Sequence, residues 1–389
     1  MTDKIKHIPQ GYKDSPLGII PKEWEVKRLG EICTHFKSGF TITAREISNT
    51  GLYPVYGGNG LRGYCPKYTH DGNYILIGRQ GALCGNINYV TGKNYISEHA
   101  IAVQTYENIQ WLRYKLENWN LNRFSESSAQ PGLSVEKLVR YKLIVPPRNE
   151  QVIIANVLQL WDIAIEKQSE LIEKLKLRKR ALMQQLLTGK KRLPGFSGEW
   201  KHVPIKSFAN ELSNRNIGGI NYIVLSCTKY DGLVPSLKYF GKQIYSNDLS
   251  SYKIIPQGHF AYATNHIEEG SIGYQSNYEN GLISPMYTVF STDNKMVDDT
   301  FLFAVLKSHH LIYLYQSMME GSINRRGGLR WDSFSKIKID LPPLREQKAI
   351  SAFLKDADKE IELAKEKLAS LQSQKRGLMQ QLLTGKKRI

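Results

Sequence analysis

The stretch LMQQLLTGKKR occurs twice, at Leu182–Arg192 and at Leu378–Arg388, and each copy lies within a longer repeat. Val145–Leu193 and Leu341–Ile389 align without a gap at a constant offset of 196, and 24 of their 49 residue pairs are identical. A sequence repeat at a fixed spacing indicates that the fold itself is repeated. The chain is therefore a protein made twice over, able to present two related surfaces to a target that itself has two halves.

The balance of charge indicates a polyanionic partner. Among 389 residues, 53 are Lys or Arg and 36 are Asp or Glu, which gives a formal net charge of +17. The hydrophobic content of 41% is enough to fill real cores, and the length exceeds one ordinary domain. We therefore expect a folded two-domain protein that binds nucleic acid. A basic but otherwise ordinary soluble protein is the alternative.

The cysteines and the N-terminal sequence indicate the compartment. Cys33, Cys65, Cys84 and Cys227 form no C-x-x-C pair, which predicts reduced thiols and neither a disulfide framework nor a zinc site. The opening MTDKIKHIPQGYKDSP is polar, so we expect no secretory signal. Apolar runs in the sequence are too short to span a bilayer. These features predict a cytoplasmic protein.

Each repeat predicts one long helix. The pairs Pro146–Pro147 and Pro342–Pro343 fit a first helical turn, and a Glu-Gln pair follows each of them where the helix dipole favours acid. Gly189 and Gly385 suit a left-handed cap at the other end. Heptad rows lie between these signals, with Leu158, Ile165 and Ile172 in the first copy and Leu354, Ile361 and Leu368 in the second. Because one helix cannot bury such a seam alone, we expect the two copies to pack antiparallel, as rods of about 60 Å.

The regions between the helices differ in character, being rich in Gly, Asn, Tyr and short β-like runs. Predicted strands include Tyr74–Gly78, Ala100–Gln104, Tyr222–Ser226 and Met286–Phe290, and predicted helices are Ile109–Trp119 and Thr300–Met319. The fold class is therefore α+β, with two pseudo-two-fold-related α/β domains separated by two long antiparallel coiled-coil helices. The predicted boundaries are 1–145 and 194–341 for the domains, with 146–193 and 342–389 for the helices.

No motif supports chemistry of the chain's own. Gly58–Gly63 matches G-x-G-x-x-G, but no helix N-terminus follows it, so a glycine-rich surface loop is the better interpretation. The Leu-Leu-Thr-Gly-Lys ending has Gln184 or Gln380 where a phosphate-binding loop needs its first glycine. H-E-x-x-H does not occur. We predict no catalytic residue, no metal ligand and no cofactor in this chain.

Several motifs in a fixed order carry a family resemblance. They are IPKEWEVKRLG from Ile20, YPVYGGNG from Tyr53, YILIGRQG from Tyr74, Pro-Pro-x-x-Glu-Gln and the duplicated LMQQLLTGK. Over essentially its whole length the chain resembles the DNA-specificity subunit of type I restriction–modification systems. The resemblance implies two target-recognition domains, each reading one half of a bipartite DNA site, with the spacer helices fixing the distance between the halves.

The resemblance also implies partners for the double-stranded DNA-binding chain. Two adenine-methylating (M) subunits would dock on the helices, and motor-nuclease (R) subunits would join them for cleavage. S-adenosylmethionine, ATP and magnesium would belong to those partners. The leucines of the duplicated ending look like an exposed docking surface. The predicted partner-binding residues are Leu182, Leu186, Leu187, Leu378, Leu382 and Leu383.

Polar loop residues are the candidates for reading DNA, because Arg, Asn and Gln make bidentate contacts with base edges. In the first domain they are Arg79, Gln80 and Asn86, with Ser127, Ser128 and Gln130 before Gly132. In the second they are Asn265 and His266, with Asn324, Arg325 and Arg326 before Gly328. Each of these could instead be a phosphate contact or a turn residue.

Two other classes of protein stay open on the sequence alone. One is a standalone DNA- or RNA-binding adaptor that recruits no methylase. The other is an enzyme whose site the sequence does not reveal. The helices, likewise, could be a solvated stalk with no partner outside the chain.

Overall fold

The computed structural model describes residues 8–81, 83–125, 132–320 and 328–389. Contacts divide the chain into two units, which we call the first unit and the second unit. The first comprises Met1–Glu170 and Lys365–Ile389, and the second comprises Leu171–Ala364. Each unit therefore holds one mixed domain, the first half of one long helix and the second half of the other.

The elements of the first unit begin with a short hairpin and alternate between strands and helices. The strands are β1 (Tyr12–Ser15), β2 (Gly18–Pro21), β3 (Glu25–Arg28), β4 (Cys33–Ser38), β5 (Tyr53–Gly57), β6 (Gly60–Cys65), β7 (Tyr74–Gly78), β8 (Ile87–Val90), β9 (Tyr95–Ile96), β10 (Ala100–Thr105) and β11 (Lys142–Val145). The helices are α1 (Ile109–Asn118), α2 (Val135–Leu138) and α3 (Arg148–Leu186), whose second half belongs to the second unit. Short 3-10 helices lie at Leu29–Ile32, Ala44–Glu46 and Leu121–Phe124.

A four-stranded antiparallel sheet, in the order β4-β10-β7-β8, forms the centre of the first unit. The predicted strand YILIG is β7, whose five residues are all buried, and AIAVQ lies in β10. One face packs against α1, whose Trp111 and Tyr114 are fully buried. A second sheet has the order β6-β5-β9. The predicted loop at Gly58–Gly63 is wrong, because Gly60–Cys65 forms β6 and pairs with β5 in a hairpin.

The second unit repeats this framework with different connecting elements. Its strands are β12 (Lys201–Pro204), β13 (Ala209–Leu212), β14 (Ile223–Thr228), β15 (Gly232–Pro235), β16 (Lys253–Pro256), β17 (His259–Ala263), β18 (Ile272–Gln275), β19 (Asn280–Ile283), β20 (Tyr287–Thr292) and β21 (Lys338–Leu341). Its helices are α4 (Ser236–Phe240), α5 (Asp299–Leu306), α6 (His309–Glu320), α7 (Trp331–Phe334) and α8 (Leu344–Leu382), whose second half belongs to the first unit. Short 3-10 helices lie at Ile205–Ser207 and Ile267–Glu269.

The main sheet of the second unit has the order β13-β20-β17-β18, which matches β4-β10-β7-β8 position by position. Its second sheet, β15-β14-β19-β16, is larger than that of the first unit and joins β14 to β19 in parallel. The helix predicted over Thr300–Met319 is divided into α5 and α6. Ser308 separates them, because its hydroxyl accepts from the Leu311 amide at 3.4 Å and so caps the second helix.

Salt bridges show that α3 and α8 run antiparallel within the first unit. Glu150 near the start of α3 pairs with Arg388, which follows α8. Twelve positions further along α3, Asp162 pairs with Lys375, which lies earlier in α8. As residue numbers rise on one helix they fall on the other. The predicted antiparallel pairing is confirmed in this unit.

The second unit contains the same two bridges with the repeats exchanged. Lys179 on α3 pairs with Asp358 on α8, and Arg192 pairs with Glu346. Each pair is the first-unit pair displaced by the repeat offset. Among residues of the helix repeats, Leu158 is buried in the first-unit core, Leu354 is buried in the second-unit core, and Ile172, Leu175, Ile361 and Ala364 are buried in the second unit. Both helices are 39 residues long, and of the predicted rows Leu158, Ile172, Leu354 and Ile361 are buried while Ile165 and Leu368 are half-buried.

A cluster that we call the helix-end clamp closes the first unit. Glu150 is 4% exposed, and its carboxylate accepts from the Trp24 indole N–H at 2.9 Å and from two nitrogens of Arg388 at 3.3 Å. Gly385 has a φ of +72°, which glycine adopts at little cost, and it lies against the Trp24 ring. The clamp therefore joins the start of α3 to the end of α8.

The helix-end clamp of the second unit uses the matching residues. Glu346 is fully buried, and its two oxygens accept from Arg192 Nε at 2.5 Å and Nη2 at 2.6 Å. The Arg192 guanidinium lies 5.5 Å from the centre of the Trp200 ring, against which Gly189 packs with a φ of +67°. Bidentate pairing of this kind is the geometry that best offsets the desolvation of a buried carboxylate.

The glutamine that follows each clamp glutamate ties the helix to its domain. Gln151 Oε1 accepts from the Asn108 amide at 2.8 Å, and Gln347 Oε1 accepts from the Asp298 amide at 2.8 Å. Asn108 and Asp298 are the N-caps of α1 and α5. The Pro-Pro-x-x-Glu-Gln motif thus positions each spacer helix against the capped start of a domain helix.

The leucines predicted to bind a partner are not exposed. Leu382 and Leu383 are 1% and 0% exposed within the core of the first unit, and Leu186 and Leu187 are buried in the second. Leu182 and Leu378 are half-buried against the same cores. The prediction of an exposed leucine surface is wrong, because the ends of the helices pack into domain cores. Their duplication is explained by this packing.

One contact of the first unit places a buried cation at a helix end. Lys115 on α1 is 4% exposed, and its ammonium donates to the Leu383 carbonyl at 2.6 Å, at the negative end of α8. Burial lowers the pKa of Lys115 from 10.5 to about 8. The residue at the same distance from the N-cap of α5 is Val305, so the second unit has no matching ammonium.

The Lys115 ammonium predicts a stability that depends on pH. The folded state loses its proton near pH 8, whereas the unfolded state keeps it to about pH 10.5, so this group makes stability rise across that interval. The slope approaches about 1.4 kcal/mol per pH unit. Lys115→Met should flatten this rise in urea unfolding, and Lys142→Met, at an exposed site, should not. Identical pH profiles for the wild type and Lys115→Met would contradict the assignment.

The two clamp glycines predict unequal effects of alanine. Each substitution places a side chain at positive φ, at a cost of about 1–2 kcal/mol. In Gly385→Ala the new Cβ would also lie 2.5 Å from Pro21 Cδ, whereas in Gly189→Ala its nearest neighbour would be 3.5 Å away. Gly385→Ala should therefore lower the melting temperature more than Gly189→Ala. Equal shifts in calorimetry would mean that Pro21 moves aside without cost.

Candidate nucleic-acid interface

The candidate interface of the first unit is the end of β7 and the turn that follows it. The Gly78 amide donates to the Asn86 carbonyl at 2.8 Å, and the Gly85 amide donates to the Gly78 carbonyl at 2.7 Å. These bonds close the turn between β7 and β8. The sequence predicts Arg79, Gln80 and Asn86 as DNA-reading residues. The turn brings them together where the strand β7 ends, at one end of the main sheet, which we call the recognition edge.

Backbone bonds hold that edge to the segment before α2. The Leu133 amide donates to the Arg79 carbonyl at 2.9 Å, and Gln80 forms an isolated bridge with Gly132. The Gln80 side chain is exposed, and its Oε1 lies 3.3 Å from His99 Nδ1. The predicted residues Ser127, Ser128 and Gln130 lie outside the described residues. The described chain resumes at Gly132, beside Gln80.

The second unit builds the same edge at the end of β17. The Leu329 amide donates to the Thr264 carbonyl at 2.9 Å, as Leu133 does to Arg79. Thr264 therefore takes the place of Arg79, and Asn265 takes the place of Gln80. His266 follows and is exposed. The predicted residues Asn324, Arg325 and Arg326 lie outside the described residues.

The local backbone fixes where the Asn265 side chain can lie. Gly328, with a φ of +62°, passes so close to Thr264 and to Asn265 Oδ1 that no Cβ would fit there. The Thr264 hydroxyl donates to the Met286 carbonyl at 3.0 Å, which ties the edge to the segment before β20. Asn265 is thus held by its neighbours at the end of β17, and its amide nitrogen makes no hydrogen bond with a residue of the described ranges.

The two edges open onto different cavities. In the first unit, Asn86 lines a cavity of about 460 Å³ together with Glu117, Asn120 and Asn122. In the second, Asn265 lines a cavity of about 480 Å³ together with Glu211, Lys253 and Arg330. Burial lowers the pKa of Lys253, whose ammonium donates to the Tyr287 carbonyl at 2.7 Å. The edges share backbone geometry and differ in the groups they present.

Sequence reasoning missed three groups at these edges. His99 precedes β10 and reaches Gln80 only because Ala100 pairs with Gly78. Glu211 lies on β13, and Arg330 precedes α7, so neither is near Asn265 in the sequence. His99 and Glu211 reach the edge because of the register in which their strands pair. Arg330 reaches it because the chain comes back to the end of β17 before α7. The one sequence signal was for Arg330, which follows the Gly328–Leu329 pair that keeps the repeat offset.

One group of side chains near the second edge could hold a cation. The ligand atoms of His266, Glu268 and Glu269 lie within 4.8 Å of one another. His266 and Glu269 are exposed, and exposed acidic clusters of this kind are common without a bound ion. The expectation that the chain holds no metal stays a prediction.

The family of the chain follows from comparison with known proteins. Residues 21–177 and 202–373 match a family model described as the type I restriction modification DNA specificity domain. Two matches of one domain cover most of the chain, as the internal repeat requires. The chain therefore belongs to this family, and it is a non-catalytic specificity subunit of a type I restriction–modification system.

Individual relatives agree with the family assignment. The specificity subunit of the type I restriction enzyme EcoprrI from Escherichia coli is 43% identical over 159 residues, which is 39% of this chain and 39% of that protein. The MjaVIII specificity subunit from Methanocaldococcus jannaschii is 24% identical over 408 residues, covering 95% of this chain and 94% of that one. The matched part thus spans about two fifths of the first relative and nearly all of the second.

A solved structure agrees with the fold. The type I restriction–modification S subunit from M. genitalium has a TM-score of 0.55 at 14% identity, covering 92% of this chain and 96% of that one. The α+β class with two repeated domains and two long helices is therefore confirmed. Among the described residues, no helix combines the length and apolar character needed to cross a membrane.

Proposed function

We propose that the chain reads a bipartite site on double-stranded DNA, one half with each unit, for a type I restriction–modification complex. The observation that carries this proposal is that both units have a recognition edge with the same backbone hydrogen bond. The Leu133 amide bonds to Arg79, and the Leu329 amide bonds to Thr264, by the same backbone geometry. The exposed side chains differ between the two edges. A target with two different halves requires two sites with the same backbone geometry and different exposed side chains.

The chemistry of the edges suits base recognition. Arg79, Gln80 and Asn86 in the first unit can pair with guanine or adenine edges in the major groove, as can Asn265 in the second. The surplus of Lys and Arg that gives +17 would neutralise phosphates and supply affinity that falls steeply with salt. Phosphate contacts would set the register, and the two edges would read sequence.

We also propose that adenine-methylating subunits dock on the helices and that motor-nuclease subunits join that core. S-adenosylmethionine, ATP and magnesium would then be bound by those subunits. The support in this chain is an exposed apolar stripe on the first half of α3. It consists of Val152, Ile153, Leu160 and Ile163, which are 40%, 42%, 66% and 52% exposed.

The apolar stripe occurs on α3 and is not repeated at the matching positions of α8. The positions on α8 that match it are Lys348, Ala349, Asp356 and Lys359. A large exposed apolar face on a helix in water costs free energy unless another surface covers it. A standalone nucleic-acid-binding adaptor without a methylase partner is the alternative function, and such a protein would leave the stripe uncovered.

The edges predict separable effects on the two half-sites. Gln80→Ala should relax base preference in one half of the site, and His266→Ala should relax it in the other, each by about 1–3 kcal/mol per base read. Selection from randomised duplexes with the full-length variants would measure both. Changes confined to the same half would contradict one reader per unit. A uniform loss of affinity with a shallower salt dependence would identify a phosphate contact instead.

The stripe predicts where a partner docks. Leu160→Lys should weaken co-purification with the adenine-methylating subunit of the same system, because it places a charge within an apolar contact. Asp356→Lys, at the matching position of α8, is the comparison and should weaken co-purification less, because the matching α8 residues form no apolar stripe. DNA binding by the free chain should be equal in both variants. Co-purification unaffected by Leu160→Lys would remove the stripe as the docking surface, and the absence of any methylating partner would favour the standalone adaptor.

A further inference from the structure

The cavity beside Asn265 has a polar floor. Tyr262 on β17 is fully buried and pairs in register with Thr288 on β20. The Tyr262 hydroxyl lies near the side chains of Thr288 and Glu211. Both of these neighbours line the cavity. Thr288 and Glu211 are therefore polar groups that line the cavity itself, with the Tyr262 hydroxyl buried beside them.

The first unit fills the same place with apolar side chains. Ile77 lies two residues before Arg79, as Tyr262 lies two residues before Thr264, and Ile77 pairs with Ile101. Both isoleucines are fully buried. In the first unit these two paired positions are therefore hydrocarbon, whereas in the second unit each of them carries a hydroxyl.

The strand neighbouring this floor differs in the same way. Glu211 on β13 pairs with Phe290 on β20, and Phe36 on β4 pairs with Val103 on β10 at the matching position. Glu211 is exposed, and its carboxylate makes no hydrogen bond or ion pair with the described residues. Lys253 is near enough to interact with this carboxylate electrostatically. Because the carboxylate is exposed beside the cavity and forms no direct ion pair with a described residue, it can accept a hydrogen bond from a ligand.

We infer that the cavity formed by Glu211, Thr288 and Asn265 takes the amino-bearing edge of an adenine or a cytosine, with Glu211 as a specificity-determining residue. This inference rests on the proposed function. Exocyclic amino groups donate into the major groove from adenine N6 and cytosine N4, and carboxylates and amides accept from them. Guanine and thymine present carbonyl oxygens at the corresponding positions, which a carboxylate repels.

Two cations flank the acceptors and complete the site. Lys253 and Arg330 line the cavity with Asn265, and the Lys253 ammonium is held by the Tyr287 carbonyl. They are suited to the phosphates on either side of the bound base, because a positive charge there offsets the repulsion between Glu211 and the DNA backbone. The wall of the cavity is completed by Trp331 and Met286.

The test is selection of randomised duplex DNA by the full-length chain. The wild type should show one position, in one half-site, at which adenine or cytosine is enriched. Glu211→Gln should reduce that enrichment about tenfold, or 1.4 kcal/mol, because an amide can donate as well as accept. Which of the two bases is enriched identifies the amino group. Preferences at all other positions should be unchanged.

Glu279→Gln is the matched control, since Glu279 is an exposed glutamate of the same unit that does not line the cavity. It should keep the wild-type preferences, and melting curves should show that both variants fold. An unchanged preference at every position in Glu211→Gln, or an equal change on all sequences, would overturn the inference and leave the proposed function intact. A wild type indifferent to base order would overturn both.

Discussion

The fold depends on a buried carboxylate at the start of each long helix. A buried glutamate is tolerated only when charge and hydrogen bonds compensate for lost hydration. The Glu346 carboxylate accepts two hydrogen bonds from the Arg192 guanidinium. The Glu150 carboxylate accepts hydrogen bonds from the Arg388 guanidinium and the Trp24 indole. In each unit the arginine comes from the other copy of the repeat. Each helix must therefore end where its arginine can reach the glutamate, and this requirement accounts for two nearly identical helix endings.

The two units meet this constraint with different degrees of support. In the first unit Asp162 accepts from Tyr114 as well as pairing with Lys375, and Lys115 holds the Leu383 carbonyl. Counting from the N-caps, the second unit has Ala304 and Val305 in place of Tyr114 and Lys115. The Trp200 indole N–H is also left without a partner among the described residues, whereas that of Trp24 bonds to Glu150. In the second unit α3 and α8 are joined by the bidentate Arg192–Glu346 pair together with the Lys179–Asp358 and Arg178–Glu360 pairs.

The sequence was informative where structure is local or repeated. Strand β7, the heptad seam, the glycine caps and the antiparallel pairing follow from periodicity and from the offset between copies. The burial of Leu186, Leu187, Leu382 and Leu383 did not follow, because it depends on which domain core receives a helix end. His99 and Glu211 were missed for a related reason. They reach the edges through strand register, which no short window of sequence contains.

The construction of the edges explains how one backbone frame can carry two different sets of side chains. The bonds that place each edge run between backbone atoms, from Leu133 to Arg79 and from Leu329 to Thr264, so they hold for almost any side chain. Replacing Arg79 by threonine at the matching position, or Ile77 by tyrosine, changes the presented chemistry and leaves the strand pairing in place. The cores and helix-end clamps carry the stability. The edges are consequently free to diverge in sequence without rebuilding the fold.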